Sequence, residues 1–247
     1  MASFTVNADM GSWFANTLGG AGNGKGDRMT VGMGVSSWNW QNRFALRFPR
    51  PTTEFAAIPN VDRITAVYAW VRANNDNAGI GGAPKFVLER ATAAFSENSE
   101  ARRAFVSTVG SNPQHWPGPA TTTTDRGEYN GAAPAAGAWV KVDVTNLGKW
   151  LYSNPSETAL SLHAKASNGT GTLDESNTAR RLTIQSDDGT SKPYLEFIYS
   201  TNDPPNVPTD LSPLSGETQG SAAGTSLALS ARHTDPEGDA ATHDWFE

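Results

Sequence analysis

Cysteine is absent from the 247 residues. Its absence excludes disulfides, thiolate metal centres and a cysteine nucleophile. Lysine is scarce, with 6 residues against 13 arginines, and basic side chains adjoin only in the pairs Arg102-Arg103 and Arg180-Arg181. With a formal charge of −6 as well, nucleic acid is not an expected partner, because that partner demands a basic patch. Long apolar runs are missing too. No stretch approaches the roughly 18 apolar residues of a membrane span. The opening MASFTVNADM has neither the basic nor the apolar part of an export signal, so no leader peptide is expected. Enzyme signatures are also lacking: there is no HExxH, no GxSxG and no P-loop. Gly19 to Gly26 follows no buried strand and opens no helix, so it reads as a turn rather than a dinucleotide loop.

What is present is alternation. Phe44, Leu46 and Phe48 share one side of an extended segment, with Arg43 and Arg47 on the other. Val140, Val142 and Val144 alternate with Trp139, Lys141 and Asp143; Leu160, Leu162 and Ala164 with Ser161, His163 and Lys165; Leu195, Phe197 and Tyr199 with Tyr194, Glu196 and Ile198. Phe4 and Val6 mark a first strand and Met29 to Met33 another. This period of two, together with 24 glycines and 15 prolines, predicts an all-β sandwich of short strands joined by turns. Ile64 to Val71 is apolar on both sides, which predicts a central strand covered on both faces. One helix is expected over 146–151, where Leu147, Trp150 and Leu151 share a face and Thr145 or Asn146 can cap. Residues 96–137 have the composition of a long loop, with a strand expected over 101–109.

The composition changes near residue 201. Residues 201–209 read as a Pro-rich linker. From 210 to 247, alternating segments flank His233-Thr234-Asp235-Pro236-Glu237-Gly238-Asp239, as in the first strands of an immunoglobulin- or fibronectin-like sandwich. A full domain of that kind takes roughly 100 residues, so the second domain is expected to continue beyond Glu247.

Chemistry-bearing residues are few. Trp38 and Trp40 are two apart, so in extended chain their indoles point the same way. Together they form either a stacking platform for sugar rings, with Asn39, Gln41 and Asn42 supplying hydrogen bonds, or a plug for the end of the sandwich. Trp116 and Tyr129 are weaker glycan-binding candidates of the same type. Trp70, Trp139 and Trp150 read as structural. His115, His163, His233 and His243 are scattered, and the alternation around His163 turns it to the surface. The carboxylate pairs Asp174/Glu175 and Asp187/Asp188 sit in turn sequences and read as solvated. Asp235, Glu237 and Asp239 are weak candidate ligands for a hard cation such as Ca²⁺, or simply turn residues. No cofactor and no catalytic residue is expected.

The order Arg43-Phe44-Ala45-Leu46-Arg47-Phe48, Ile64-Thr65-Ala66-Val67-Tyr68-Ala69-Trp70, Trp139-Val140-Lys141-Val142-Asp143-Val144-Thr145 with Trp150, and Pro193-Tyr194-Leu195-Glu196-Phe197-Ile198-Tyr199 resembles the DNRLRE-type domain over roughly residues 3–200. That resemblance implies a two-sheet jelly roll over 1–200, similar to carbohydrate-binding modules. It also implies a structural Ca²⁺ as an option, with no ligands assignable in the first domain. Followed by a fibronectin-like repeat, such a module resembles a minor tail protein of a phage. The implied role is a non-catalytic virion protein at the tail tip or fibre. It would be made in the host cytoplasm, would assemble with other tail proteins and would contact host cell-wall polysaccharide; a homo-oligomer is compatible with that place. The alternatives are a glycan-binding module of a secreted bacterial polysaccharide-degrading or cell-surface protein, which would be extracellular, and a structural spacer without a ligand.

Overall fold

The computed structural model describes residues 1–15, 28–33, 41–74, 84–92, 121–170, 172–173, 182–201, 209–212 and 230–232. The chain divides into two units, Met1–Tyr199 and Ser200–Glu247. In the second unit the described strands are β12 (Thr209–Ser212) and β13 (Ser230–Arg232), paired antiparallel with Thr209 opposite Arg232. The strand expected over 101–109 lies outside the described residues.

The first unit is built from β1 (Ala2–Asn7), β2 (Met10–Ala15), β3 (Arg28–Met33), β4 (Gln41–Pro49), β5 (Ile64–Arg72), β6 (Phe86–Ala91), β7 (Thr121–Tyr129), β8 (Trp139–Asp143), β9 (Ala159–Ala166), β10 (Leu182–Gln185) and β11 (Tyr194–Tyr199). One sheet has the order β1-β11-β5-β8; the other runs β10-β3-β4-β9-β6-β7, with β2 also on β4. The pairings are antiparallel. Without β2, β3 and β10, the two sheets read β1-β11-β5-β8 and β4-β9-β6-β7. The first and last strands are neighbours, and the chain crosses repeatedly between sheets. This is the strand order of a jelly roll, which brings the first and last strands of the Met1–Tyr199 unit together in one sandwich.

Alternation explains the core. Phe44, Leu46 and Phe48 of β4 face Leu160, Leu162 and Ala164 of β9 in register, and all are buried. Val67, Ala69 and Val71 of β5, Val140 and Val142 of β8, and Leu195 and Phe197 of β11 close the core from the opposite sheet. Phe4 lies flat on Phe197 with ring centroids 4.9 Å apart. A short helix, α1 (Thr52–Ala56), drives Phe55 edge-on against Phe197 at 5.2 Å.

The second helix, α2 (Thr145–Ser153), buries Leu147, Gly148 and Leu151. Its entry differs from expectation: neither Thr145 nor Asn146 is the cap. Val144 occupies the N-cap position and makes no side-chain cap bond. Asp143 Oδ1 instead accepts from the Thr145 N–H (2.9 Å) and hydroxyl (2.7 Å). Trp150 is half-buried, with the Arg90 guanidinium 3.9 Å from its ring centre.

Two further expectations are corrected. β5 is an interior strand of its sheet, but its second face is not covered: Ala66, Tyr68, Trp70 and Arg72 are half-exposed. Apolar character on both sides reflects aromatic rings lying on one another there, not a second layer. His163 is fully buried rather than on the surface. It does point away from the core, as alternation requires. However, that outer face of the larger sheet is itself withdrawn from water, since Ala45, Val87 and Glu89 beside it are at most 1% exposed.

Candidate functional site

The half-open face of the smaller sheet carries the richest chemistry among the described residues. Because Val67, Ala69 and Val71 go to the core, Tyr68, Trp70 and Arg72 point outward. The same logic turns Tyr194 and Glu196 outward on β11, and Trp139, Lys141 and Asp143 on β8. Strand register then sets them in rows. Tyr194 is opposite Trp70, which is opposite Lys141; Glu196 is opposite Tyr68, which is opposite Asp143; Arg72 is opposite Trp139.

Cross-strand neighbours on one face stand close enough for aromatic side chains to meet. Trp70 and Tyr194 stack at 6.0 Å with planes 18° apart. Trp139 meets Tyr194 edge-on at 5.2 Å and is the most open ring, 39% exposed. Lys141 lays its ammonium 3.5 Å from the Tyr68 ring centre and 5.4 Å from that of Trp70, a cation–π arrangement. The Trp70 indole N–H donates to Glu196 Oε2 at 2.8 Å, which fixes the ring. Partial burial, then the Glu196 charge, raises the Tyr194 pKa, so its hydroxyl remains a donor at neutral pH. Arg72 is tied down by Nε to the Gly137 carbonyl (3.1 Å) and by Nη1 to Ser191 Oγ. Gly137 has φ +77, the left-handed region that suits glycine.

The result is a pre-set patch of apolar ring faces bordered by donors and acceptors. Ring faces of this kind can stack on an apolar surface while the bordering groups exchange hydrogen bonds. Among the described residues no group of three His, Cys, Asp or Glu is placed to hold a metal ion.

A second polar cluster lies on the outer face of the larger sheet. Lys165 Nζ donates to Glu89 Oε2 (2.7 Å) and Thr121 Oγ1 (2.8 Å), and Thr121 donates to the same carboxylate at 2.7 Å. His163 stands opposite Ala45 on one side and Glu89 on the other. Burial, then the charges of Arg43 and Lys165, holds its pKa well below the usual histidine value. It is therefore a neutral ring at physiological pH.

Of the residues singled out from sequence, Trp38, Asn39, Trp40 and Trp116 lie outside the described residues, as do Asp174, Glu175, Asp235, Glu237 and Asp239. Tyr129 is half-buried; its ring stacks on Phe86 at 5.4 Å and its hydroxyl donates to the Ala132 carbonyl at 2.6 Å. Asp187, expected to be solvated, is 5% exposed in the turn closed by the Gly189 N–H to Ser186 O bond. Sequence reasoning set Trp70 and Trp139 aside as structural and passed over Tyr68, Tyr194 and Lys141. Their signal was present: each alternates with a core residue. What alternation lacks is which strands are neighbours. No protein-family model and no curated protein matches the chain.

Proposed function

We propose that the Met1–Tyr199 unit is a non-catalytic module that binds polysaccharide on the outer face of its smaller sheet, and that the chain is a structural part of a phage tail, contacting host-surface glycan. The observation that carries the glycan reading is the registered aromatic face of Tyr68, Trp70, Tyr194 and Trp139, bordered by Lys141 and Glu196. Interlocked rings of this kind lose little freedom on binding, which favours a weakly hydrated, flat ligand surface. The placement in a tail rests on the order of the two modules in the sequence. The same face would serve a carbohydrate-binding module of a bacterial enzyme or surface protein.

Intrinsic fluorescence of the whole chain, titrated with bacterial cell-wall polysaccharides, tests the glycan reading. A saturable shift is expected, with affinity reduced about tenfold or more in Trp139→Ala/Tyr194→Ala. If the wild type shows no shift with any polysaccharide, the glycan reading is withdrawn. Antibody labelling of purified virions tests the tail placement, and label absent from tails would remove it.

A further inference from the structure

We infer a second carbohydrate subsite, in the cleft between β7, β8 and the first turn of α2, that holds a single neutral or amino sugar unit. It rests on the reading of the module as a glycan binder. The cleft has a volume of about 330 Å³, the low end of the range of about 300–1,000 Å³ for small-molecule sites. One ring fits there better than an oligosaccharide. Its polar lining is Arg126, Glu128, Asp143, Thr145 and Asn146, over an apolar floor of the buried Val144 and Leu147.

Some of these groups are already committed. Thr145 Oγ1 donates to Asp143 Oδ1 at 2.7 Å and accepts from the Val67 N–H at 3.0 Å. Glu128 Oε1 accepts from Ser167 Oγ at 2.9 Å. Asn146 is exposed, and its amide makes no hydrogen bond among the described residues. Arg126 forms an ion pair with Glu89 Oε1 at 3.9 Å, too long for a hydrogen bond, so its N–H groups can still donate to a ligand. Asp143 keeps its second oxygen. A planar amide, a guanidinium fork and a carboxylate oxygen around one small space offer donors and acceptors in the mixture that neighbouring hydroxyls need.

Charge narrows the class. Arg126 is balanced by its ion pair with Glu89, and Asp143 keeps a carboxylate oxygen in the cleft, which disfavours uronate, sulfate or phosphate groups and tolerates an ammonium. Position links the cleft to the aromatic face, because Asp143 lines the cleft and stands opposite Tyr68 in the β5–β8 register. A glycan lying on the rings would deliver its end, or a branch, into the cleft.

Saturation-transfer NMR and calorimetry on the whole chain test this with methyl glycosides of glucose, galactose, mannose and N-acetylglucosamine, with glucosamine, and with glucuronate as the acidic control. At least one neutral or amino sugar is expected to bind saturably. Asn146→Ala and Arg126→Gln should each weaken it about tenfold, while Glu54→Gln, exposed on α1 away from both the cleft and the aromatic face, leaves it unchanged. Thermal melts establish that each variant is folded. The subsite is overturned if no sugar but glucuronate binds, or if both cleft variants melt and bind as wild type does. Polysaccharide binding lost only in the aromatic variants would leave the glycan function standing and remove the cleft. Sugar binding in the cleft without polysaccharide binding would do the reverse.

Discussion

Gly148 of α2 lies so close to Val67 of β5 that a β-carbon added there would stand 2.4 Å from Val67 Cγ2. Glycine costs a helix about 1 kcal/mol relative to alanine. Here it lets the helix axis approach the sheet. Val67 is fully buried and β-branched, so it cannot swing aside. Overpacking of about 1–3 kcal/mol therefore outweighs the gain in propensity. Gly148→Ala is expected to lose up to about 2 kcal/mol in urea unfolding, where the balance of those terms is read directly. A melting temperature at or above wild type would refute the close-approach account.

Arg50 closes the other end of the same helix. Its guanidinium donates to the carbonyls of Tyr152 and Asn154, each at 3.0 Å, and to that of Leu151. It also lies 5.0 Å from the Phe55 ring centre. Helix C-terminal carbonyls lack intrahelical partners and carry partial negative charge. Arg50→Gln should cost about 1–3 kcal/mol. Arg50→Lys should recover only part, because one ammonium cannot reproduce the fork. Full recovery by lysine in the same unfolding assay would show that charge alone matters.

The Glu89–Lys165 pair is 2.7 Å long with both side chains largely removed from water. Deleting one partner leaves a buried charge, at a cost of about 3–5 kcal/mol. Glu89→Gln and Lys165→Met should each fall in that range. The double variant should cost far less than their sum. An additive double-mutant cycle would mean that the pair is not coupled.

His163 gives the stability a pH dependence. Its folded pKa lies well below 6.5, so the folded protein holds fewer protons there than the unfolded chain. Stability from the neutral ring is complete above about pH 6.5 and declines as pH falls below that value, by up to about 1.4 kcal/mol per pH unit. Chemical unfolding followed from pH 7.5 to 5 should show this decline in wild type and a shallower one in His163→Gln. Equal slopes would assign the dependence to other groups.

Much of the fold was legible because half-buried strands write their orientation into every second residue. Phe44-Ala45-Leu46-Arg47-Phe48 and Val140-Lys141-Val142 could be assigned an inner and an outer side from sequence; the burial follows that split in Val140-Lys141-Val142, while in the first segment the inner Phe44, Leu46 and Phe48 join the core and the outer Ala45 is buried as well. The helix at Thr145–Ser153 was visible in the spacing of Leu147, Trp150 and Leu151, although its cap was not, because Asp143 reaches in from the preceding strand.

Sequence alone determined the class of the molecule: an all-β sandwich without cysteine chemistry, with inward and outward residues sorted strand by strand. It also determined which residues Tyr68, Trp70, Trp139 and Tyr194 share a strand side with, since that depends only on the local period of two. Tertiary structure alone decided that these rings lie on one face, because residues from Tyr68 to Tyr194 are brought together by strand order, a long-range property that no local pattern encodes. It also decided that His163 and Glu89 are buried while Trp139 is open. Alternation says which side a residue takes, and only the packing of the whole chain settles whether that side meets water.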